Sequence, residues 1–340
     1  MDQPRKRKTA AEADPGRATN AQSGGIAERR RLRIRAAWMY YVEEMTQSEI
    51  AERLGIGRVT VVRLLSDARE RNEVKLSIEG ELSECVRLER LLEQAFGIGE
   101  AVVVPVSDDR DPAHSIGTAT GDYLSALLKP DMTIGVGWGR TLYRALGSIG
   151  ERPINDLKVI SLLGGITKAR EFNPSEFAWQ FASLFRAESY LLTAPAFVDS
   201  PETRRALIER CGLKEVFDQA ERMDVALIST SGMEPDTTTF KHGLVTAEER
   251  ESLIRAGAVG DCLCTFFDAT GQTMDHPVNR RVMAVPLETI ARIPKRILAS
   301  GGKGKVPALQ AFLPAMKPTT FITDEVSAKA ILKGAAKGKR

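Results

Sequence analysis

From Ile34 to Met45 apolar side chains recur at three- and four-residue steps, at Ile34, Ala37, Trp38, Tyr41, Val42 and Met45, the stripe of a helix with one face on a core. Thr46 and Glu49 then stand at the S/T-x-x-E spacing of a capping box, which predicts a second helix through Ile50, Ala51 and Leu54. Gly55-Ile56-Gly57 stops it, a third helix is expected over about Arg58–Arg71, and Val74–Ile78 alternates like a short strand. Residues 1–28 are rich in Arg, Lys, Ala, Gly and Ser without apolar periodicity, and read as a disordered tail with order beginning near Arg31. Glu81–Phe96 predicts a further helix with Leu82, Val86, Leu91, Leu92 and Ala95 or Phe96 inward, suited to linking two domains or pairing two subunits.

Beyond Gly97 the period changes. Apolar runs near residues 101–106, 132–137, 157–163, 189–193, 224–229, 282–285 and 318–323 are separated mostly by helix-like stretches. Strand alternating with helix implies a doubly wound, mainly parallel α/β sheet covered on both faces. The expected organisation is therefore a tail over 1–28, a small all-α domain over 29–79, a linking or oligomerisation helix over 80–97, and a large α/β domain over 98–336. No repeat of fixed period is present.

Composition narrows the classes further. The 340 residues are 43% apolar, 27% charged and 6% aromatic, ordinary globular usage. No apolar run approaches the roughly eighteen residues of a membrane span, and the basic N-terminus has no apolar stretch behind it, so no secretory signal is read and a cytoplasmic protein is expected. Cys85, Cys211, Cys262 and Cys264 form no CxxC pair and have no His at zinc spacing, which argues against a disulfide framework or structural metal; Cys262 and Cys264 suit an alternating strand with both thiols on one face. Three histidines leave little material for His-based catalysis. The first eighty residues hold sixteen basic and twelve acidic side chains within a chain of net charge +3, so the basic excess sits at one end and suggests an anionic partner there.

Residue type at fixed offsets sharpens that suggestion. Counting from Gln47, Ile50 and Ala51 are fourth and fifth, Leu54 and Gly55 eighth and ninth, Ile56 tenth, Val61 fifteenth and Leu64 eighteenth, the steric pattern of a helix-turn-helix. Ala51 must be small where the third helix crosses, and Gly55 supplies the left-handed turn. The outer face of the third helix is then free for the major groove of double-stranded DNA. Arg58, Val59, Thr60 and Arg63 are the candidate contacts: Arg63 suits guanine O6 and N7, Thr60 a thymine methyl or a phosphate, and Arg58 phosphate near the helix start. Arg29–Arg33 could hold backbone or minor groove, or simply be solvated.

In the α/β region Ile134-Gly135-Val136-Gly137-Trp138-Gly139-Arg140-Thr141-Leu142 reads as a strand ending in a glycine turn that opens a helix, a place for an anion. The glycines run G-x-G-x-G, and the next strand ends apolar before Gly164-Gly165, so the dinucleotide fingerprint fails and no cofactor is expected. Loops converging at the same sheet edge bring Asn173, Ser229–Gly232, Asp261, Asp268 and the Gly301–Lys305 stretch, small and polar residues suited to a polyhydroxylated or phosphorylated ligand.

The helix-turn-helix ending Leu64-Leu65-Ser66-Asp67-Ala68-Arg69, the Ile134–Thr141 turn, the Gly301-Gly302-x-x-Lys305 loop and Ile322-Thr323-Asp324-Glu325 together resemble the SorC family of sugar-binding transcriptional regulators. The likeness runs from about Arg33 to Leu332. It implies a large domain similar to sugar-phosphate isomerases that has lost catalysis and binds an effector, with Gly139, Arg140 and Thr141 on a phosphate and Asn173 and Lys305 contributing from neighbouring loops. Gly137 and Trp138 complete the turn. Arg140 stands where some members carry a hydroxyl residue, so a sugar, a sugar phosphate and a polyol all stay open as effector. The resemblance also implies a homo-oligomer, dimer or tetramer, acting on operator DNA. The rival from another class is an active isomerase or deaminase with Asp261 or Asp268 as general base, although no Glu/His cluster stands ready to assist.

Overall fold

The chain divides into two units, Met1–Glu79 and Gly80–Arg340. The computed structural model describes residues 16–71, 73–74, 83–106, 111–167 and 173–337, with the backbone alone for 16–27, 336 and 337.

The first unit is α1 (Gly16–Tyr41), α2 (Gln47–Leu54) and α3 (Arg58–Glu70). Thr46 and Glu49 close the expected capping box: Thr46 N–H donates to Glu49 Oε2 at 2.7 Å and Glu49 N–H to Thr46 Oγ1 at 3.3 Å. Gly55 ends α2 at φ 65°, a left-handed conformation in which a Cβ would be strained. Ile50, Ala51, Val61, Leu65 and Ala68 form the core with Ala36, Ala37 and Met39 of α1. Two expectations are corrected here. Helix begins at Gly16 rather than near Arg31, in a stretch with no apolar stripe to announce it. The expected apolar stripe holds only in part: Ala37 is buried and Tyr41 and Met45 pack against the core, but Ile34, Trp38 and Val42 are exposed, Trp38 by 58%, and Ala36 and Met39 are buried in their stead. Arg33 is buried and donates from Nε and Nη2 to Glu73 at 2.5 and 2.6 Å, so it ties α1 to the end of α3 instead of reaching for DNA. The strand expected over Val74–Ile78 and residues 1–15 of the tail lie outside the described residues, apart from Val74.

The second unit runs α4 (Ser83–Phe96), β1 (Glu100–Val104), α5 (Ala113–Leu127), β2 (Thr133–Val136), α6 (Arg140–Ala145), β3 (Lys158–Ser161), α7 (Pro174–Phe185), β4 (Glu188–Tyr190), α8 (Pro201–Arg210) and α9 (Lys214–Ala220). It continues with β5 (Val225–Ile228), β6 (Thr230–Ser231), α10 (Thr238–Lys241), α11 (Ala247–Arg255), β7 (Ala258–Cys262), β8 (Thr265–Asp268), α12 (Leu287–Arg292), β9 (Lys295–Ala299), α13 (Val306–Met316), β10 (Thr320–Asp324) and α14 (Glu325–Lys337). Seven strands form one parallel sheet in the order β1-β10-β9-β5-β2-β3-β4. Alternation explains why these strands read as unbroken apolar runs: Val225 and Leu227 enter the core under α5, α6 and α7, and Ala226 and Ile228 enter the core on the other face with α4, α12 and α13. The sheet is doubly wound, as expected.

Details differ from the pattern. α4 packs on β1 and α14 through Cys85, Leu88 and Leu92, while Val86 and Leu91 face outward. Residues 282–285 form only isolated bridges, Leu163 to Ala284 and Phe197 to Val282, and the strand next to β10 is instead β9, whose Lys-Arg start hid it. β6, β7 and β8 make a separate antiparallel sheet, and Cys262 and Cys264 do not share one strand: Cys262 ends β7 and Cys264 sits in the two-residue turn before β8.

Candidate functional site

In the first unit, Arg58, Val59, Thr60 and Arg63 are all exposed on the N-terminal half of α3, Val59 by 83%. Val61 and Leu65 anchor the opposite face, so the core fixes which side of the helix looks outward. The exposed side of α3 therefore carries an apolar side chain, Val59, among the polar Arg58, Thr60 and Arg63.

In the second unit the strand order supplies the site. From β2 the chain runs through β3 to the β4 edge and then returns to the other side of β2 as β5, leaving a crevice beyond their carboxyl ends. A cavity of about 390 Å³ lies there. Trp138, Gly139 and Arg140 reach it after β2, Ser229–Ser231 after β5, Gly301–Lys305 after β9, and Asp261 and Leu263 from the β7–β8 hairpin. Glu234, Asp236, Lys241 and His242 close one side, and Asp111, ahead of α5, another. The charged lining is balanced: Arg140, Lys241, Lys303 and Lys305 against Asp111, Glu234, Asp236 and Asp261.

Two of these charges are held at a cost. Asp261 is buried; desolvation pushes its carboxyl up to about 6, offset in part by the Cys264 N–H at 3.0 Å, the Thr239 hydroxyl at 3.3 Å and Lys305. Burial and the neighbouring Arg140 push the Lys305 ammonium down to about 8, with Asp111, Asp261 and Asp324 pulling the other way. Arg140 Nη1 lies 3.3 Å from Asp111 Oδ2. Gly139 has φ 126°, a conformation that leaves its place to glycine and turns the chain into α6. Both neighbouring thiols stay protonated, since burial raises Cys262 and Cys264 well above the usual thiol range.

Of the nine effector residues expected from sequence, the cavity brings together Trp138, Gly139, Arg140, Asp261 and Lys305. Gly137 lies beneath, where a Cβ would meet Leu227 O and Leu263 Cδ2 at 3.1 Å. Thr141 is buried in the first turn of α6 against α5, outside the lining. Asn173 is corrected: its Oδ1 accepts from Ser175 N–H and its Nδ2 donates to Ile166 O, so it caps α7 beside a separate shallow depression. Asp268 is corrected as well. Its Oδ1 accepts from Thr270 N–H, Thr270 Oγ1 and Gln272 N–H, which spends the carboxylate on the turn after β8 and, led by the Thr270 hydroxyl, lowers its pKa. Sequence reading missed Asp111, Glu234 and the Asp236–His242 stretch; the polar density of residues 229–242 between β5 and α11 was the available signal.

A helix-turn-helix unit carried on one chain with an α/β unit whose switch point holds a polar cavity is the make-up of a ligand-responsive transcriptional regulator. Residues 80–333 match the family described as "Putative sugar-binding domain" and residues 27–71 match sigma-70 region 4. The erythritol catabolism regulatory protein EryD of Brucella abortus (strain 2308) is 32% identical over 91% of this chain and 98% of its own length. The deoxyribonucleoside regulator of Bacillus subtilis (strain 168) is 28% identical over 90% and 98%. The crystal structure of the full-length sorbitol operon regulator SorC from Klebsiella pneumoniae superposes with a TM-score of 0.70 at 25% identity, covering 90% of this chain and 99% of that one. The chain belongs to the SorC family of sugar-binding transcriptional regulators. Among the described residues no helix is long and apolar enough to cross a membrane.

Proposed function

We propose that this regulator controls an operon for the catabolism of a sugar or polyol, that the switch-point cavity takes the effector, and that Arg58, Val59, Thr60 and Arg63 read the operator. The carrying observation is the cavity itself: hydroxyls, carboxylates and ammonium groups from five separate loops converge on one space of sugar size. Trp138 and His242, with ring centroids 6.4 Å apart, give it an aromatic wall for the C–H faces of such a ligand. Effector binding changes operator affinity by favouring one of two conformations, to the extent of its unequal affinity for them. The protein acts in the cytoplasm as a dimer or tetramer, because one helix-turn-helix reads too few base pairs for a useful specificity ratio.

The effector is bound and not converted. Asp261 has the raised carboxyl of a general base, but its Oδ2 accepts from Cys264 N–H and its Oδ1 from the Thr239 hydroxyl, which suits positioning better than proton abstraction. The test is a mobility-shift assay on DNA upstream of the protein's own gene with a panel of sugars and polyols, each followed in parallel by NMR for turnover. A compound that shifts operator binding and stays intact supports this reading; one that is isomerised or deaminated favours the enzyme. Sedimentation of the operator complex as a monomer would remove the oligomer.

A further inference from the structure

Taking that cavity as the effector site, we infer that its ligand is an uncharged polyhydroxylated molecule, a free polyol or sugar, and not a phosphate ester. A phosphate in this crevice needs unspent cationic and N–H donors, and two that would stand foremost, the Arg140 guanidinium and the Gly302 N–H, are met by carboxylates of the chain itself.

The first place is the turn after β2. Arg140 is its fixed cation, and Asp111 Oδ2 stands 3.3 Å from Arg140 Nη1. Asp111 is not a stray surface contact, because its other oxygen accepts from Ala113 N–H at 3.1 Å in the first turn of α5, which fixes the carboxylate at the cavity mouth. The second place is the glycine loop after β9. Gly302 N–H donates to Asp324 Oδ2 at 3.1 Å and to Ser327 Oγ at 2.7 Å, so this amide is turned toward buried Asp324. A Cβ at Gly301 would stand 2.2 Å from Asp324 Oδ2, which shows how closely that carboxylate underlies the loop.

What remains is a lining with four carboxylates and four cations, formally neutral. A dianionic ester would bring its charge beside Asp111, Glu234, Asp236 and Asp261, and each like-charge approach costs binding energy. A polyol meets the same groups favourably. Its hydroxyls donate to carboxylates and accept from ammonium and guanidinium groups, so every charge in the wall gains a partner without a new net charge being buried. Asp111 is thus a specificity residue: it stands where the ester's phosphate would have to bind.

The experiment is calorimetric titration of the full-length chain at pH 7.5 with erythritol, xylitol and sorbitol, each paired with its monophosphate, and with inorganic phosphate as competitor. The expected result is that at least one free polyol binds and its monophosphate binds about tenfold or more weakly, with no competition by inorganic phosphate. Asp111→Asn should then raise the affinity for the monophosphate by about tenfold and let inorganic phosphate compete; its thermal melt reports folding, and the wild-type competition stands as a second measurement if the variant is unfolded. A monophosphate that binds the wild type more tightly than its parent polyol overturns the inference and leaves the cavity as effector site. If no member of any pair binds, the cavity reading fails and the inference falls with it.

Discussion

Replacing Asp261 by Asn should stabilise the protein while impairing its response. Burial raises this carboxyl from an ordinary 3.8 to about 6, so at pH 7 the fold carries an ionised group at a cost of about 3 kcal/mol relative to the unfolded chain. Because the folded pKa lies above the unfolded one, the fold is favoured at low pH and loses stability as pH rises through about 6. Asn keeps the local bonds: its oxygen can accept from Cys264 N–H, and its amide can donate to Thr239 Oγ1. It also withdraws one carboxylate that holds Lys305 charged, which trims the gain to about 1–2 kcal/mol. Urea unfolding of the full chain at pH 7.5 and pH 5 is the assay; the helix-turn-helix contributes equally to both proteins and cancels. Asp261→Asn should be more stable at pH 7.5, and the advantage should shrink by half or more at pH 5, since the wild-type group is then largely protonated. Effector affinity should fall by about tenfold or more through loss of a charged acceptor. A variant destabilised at pH 7.5, or an advantage independent of pH, would refute the buried charge.

Other consequences can be measured separately. Arg63→Ala should cost about 1–3 kcal/mol on the specific operator and relax the preference at one base pair per half-site, with weak binding to random DNA retained; equal losses on both, read by fluorescence anisotropy, would make Arg63 a phosphate contact. Lys305→Met should bind operator normally yet need about tenfold more effector, a loss of roughly 1.5–3 kcal/mol; a wild-type dose response would move the pocket elsewhere. Effector affinity should also be bell-shaped in pH, rising as Asp261 ionises through about 6 and falling as Lys305 loses its proton through about 8. A flat profile by calorimetry between pH 5 and 9 would separate ligand binding from this pair.

Local signals were legible and distributed ones were not. The capping box at Thr46 and Glu49 and the turn at Gly55 depend on neighbours within three residues, so sequence located α2 and α3 closely. Which face of α1 is buried depends on what lies opposite, and an alanine at 36 carries too little apolar weight to outvote Ile34 and Trp38. Asn173-Pro174 is a helix-start signal, and the asparagine caps α7 away from the cavity lining. Asp111 and Arg140 stand 29 positions apart and meet only through the folded sheet edge, which no spacing rule records.

The β7–β8 turn shows why local reading fails at the site in particular. Leu263 and Cys264 both have positive φ, 53° and 58°, in a two-residue connection between paired Cys262 and Thr265. Such turns favour Asn-Gly, and non-glycine residues there cost about 1–2 kcal/mol each. The fold overrides that preference by burying Leu263 and Cys264 in the same core as Trp138 and Phe267, and by holding Cys264 N–H on Asp261 Oδ2. The strained leucine thereby becomes part of the cavity wall over Gly137. Asp261 serves the strained turn and the cavity with one carboxylate. If effector hydroxyls bond to it, they draw on the group that restrains the turn, so occupancy and turn conformation share one free energy.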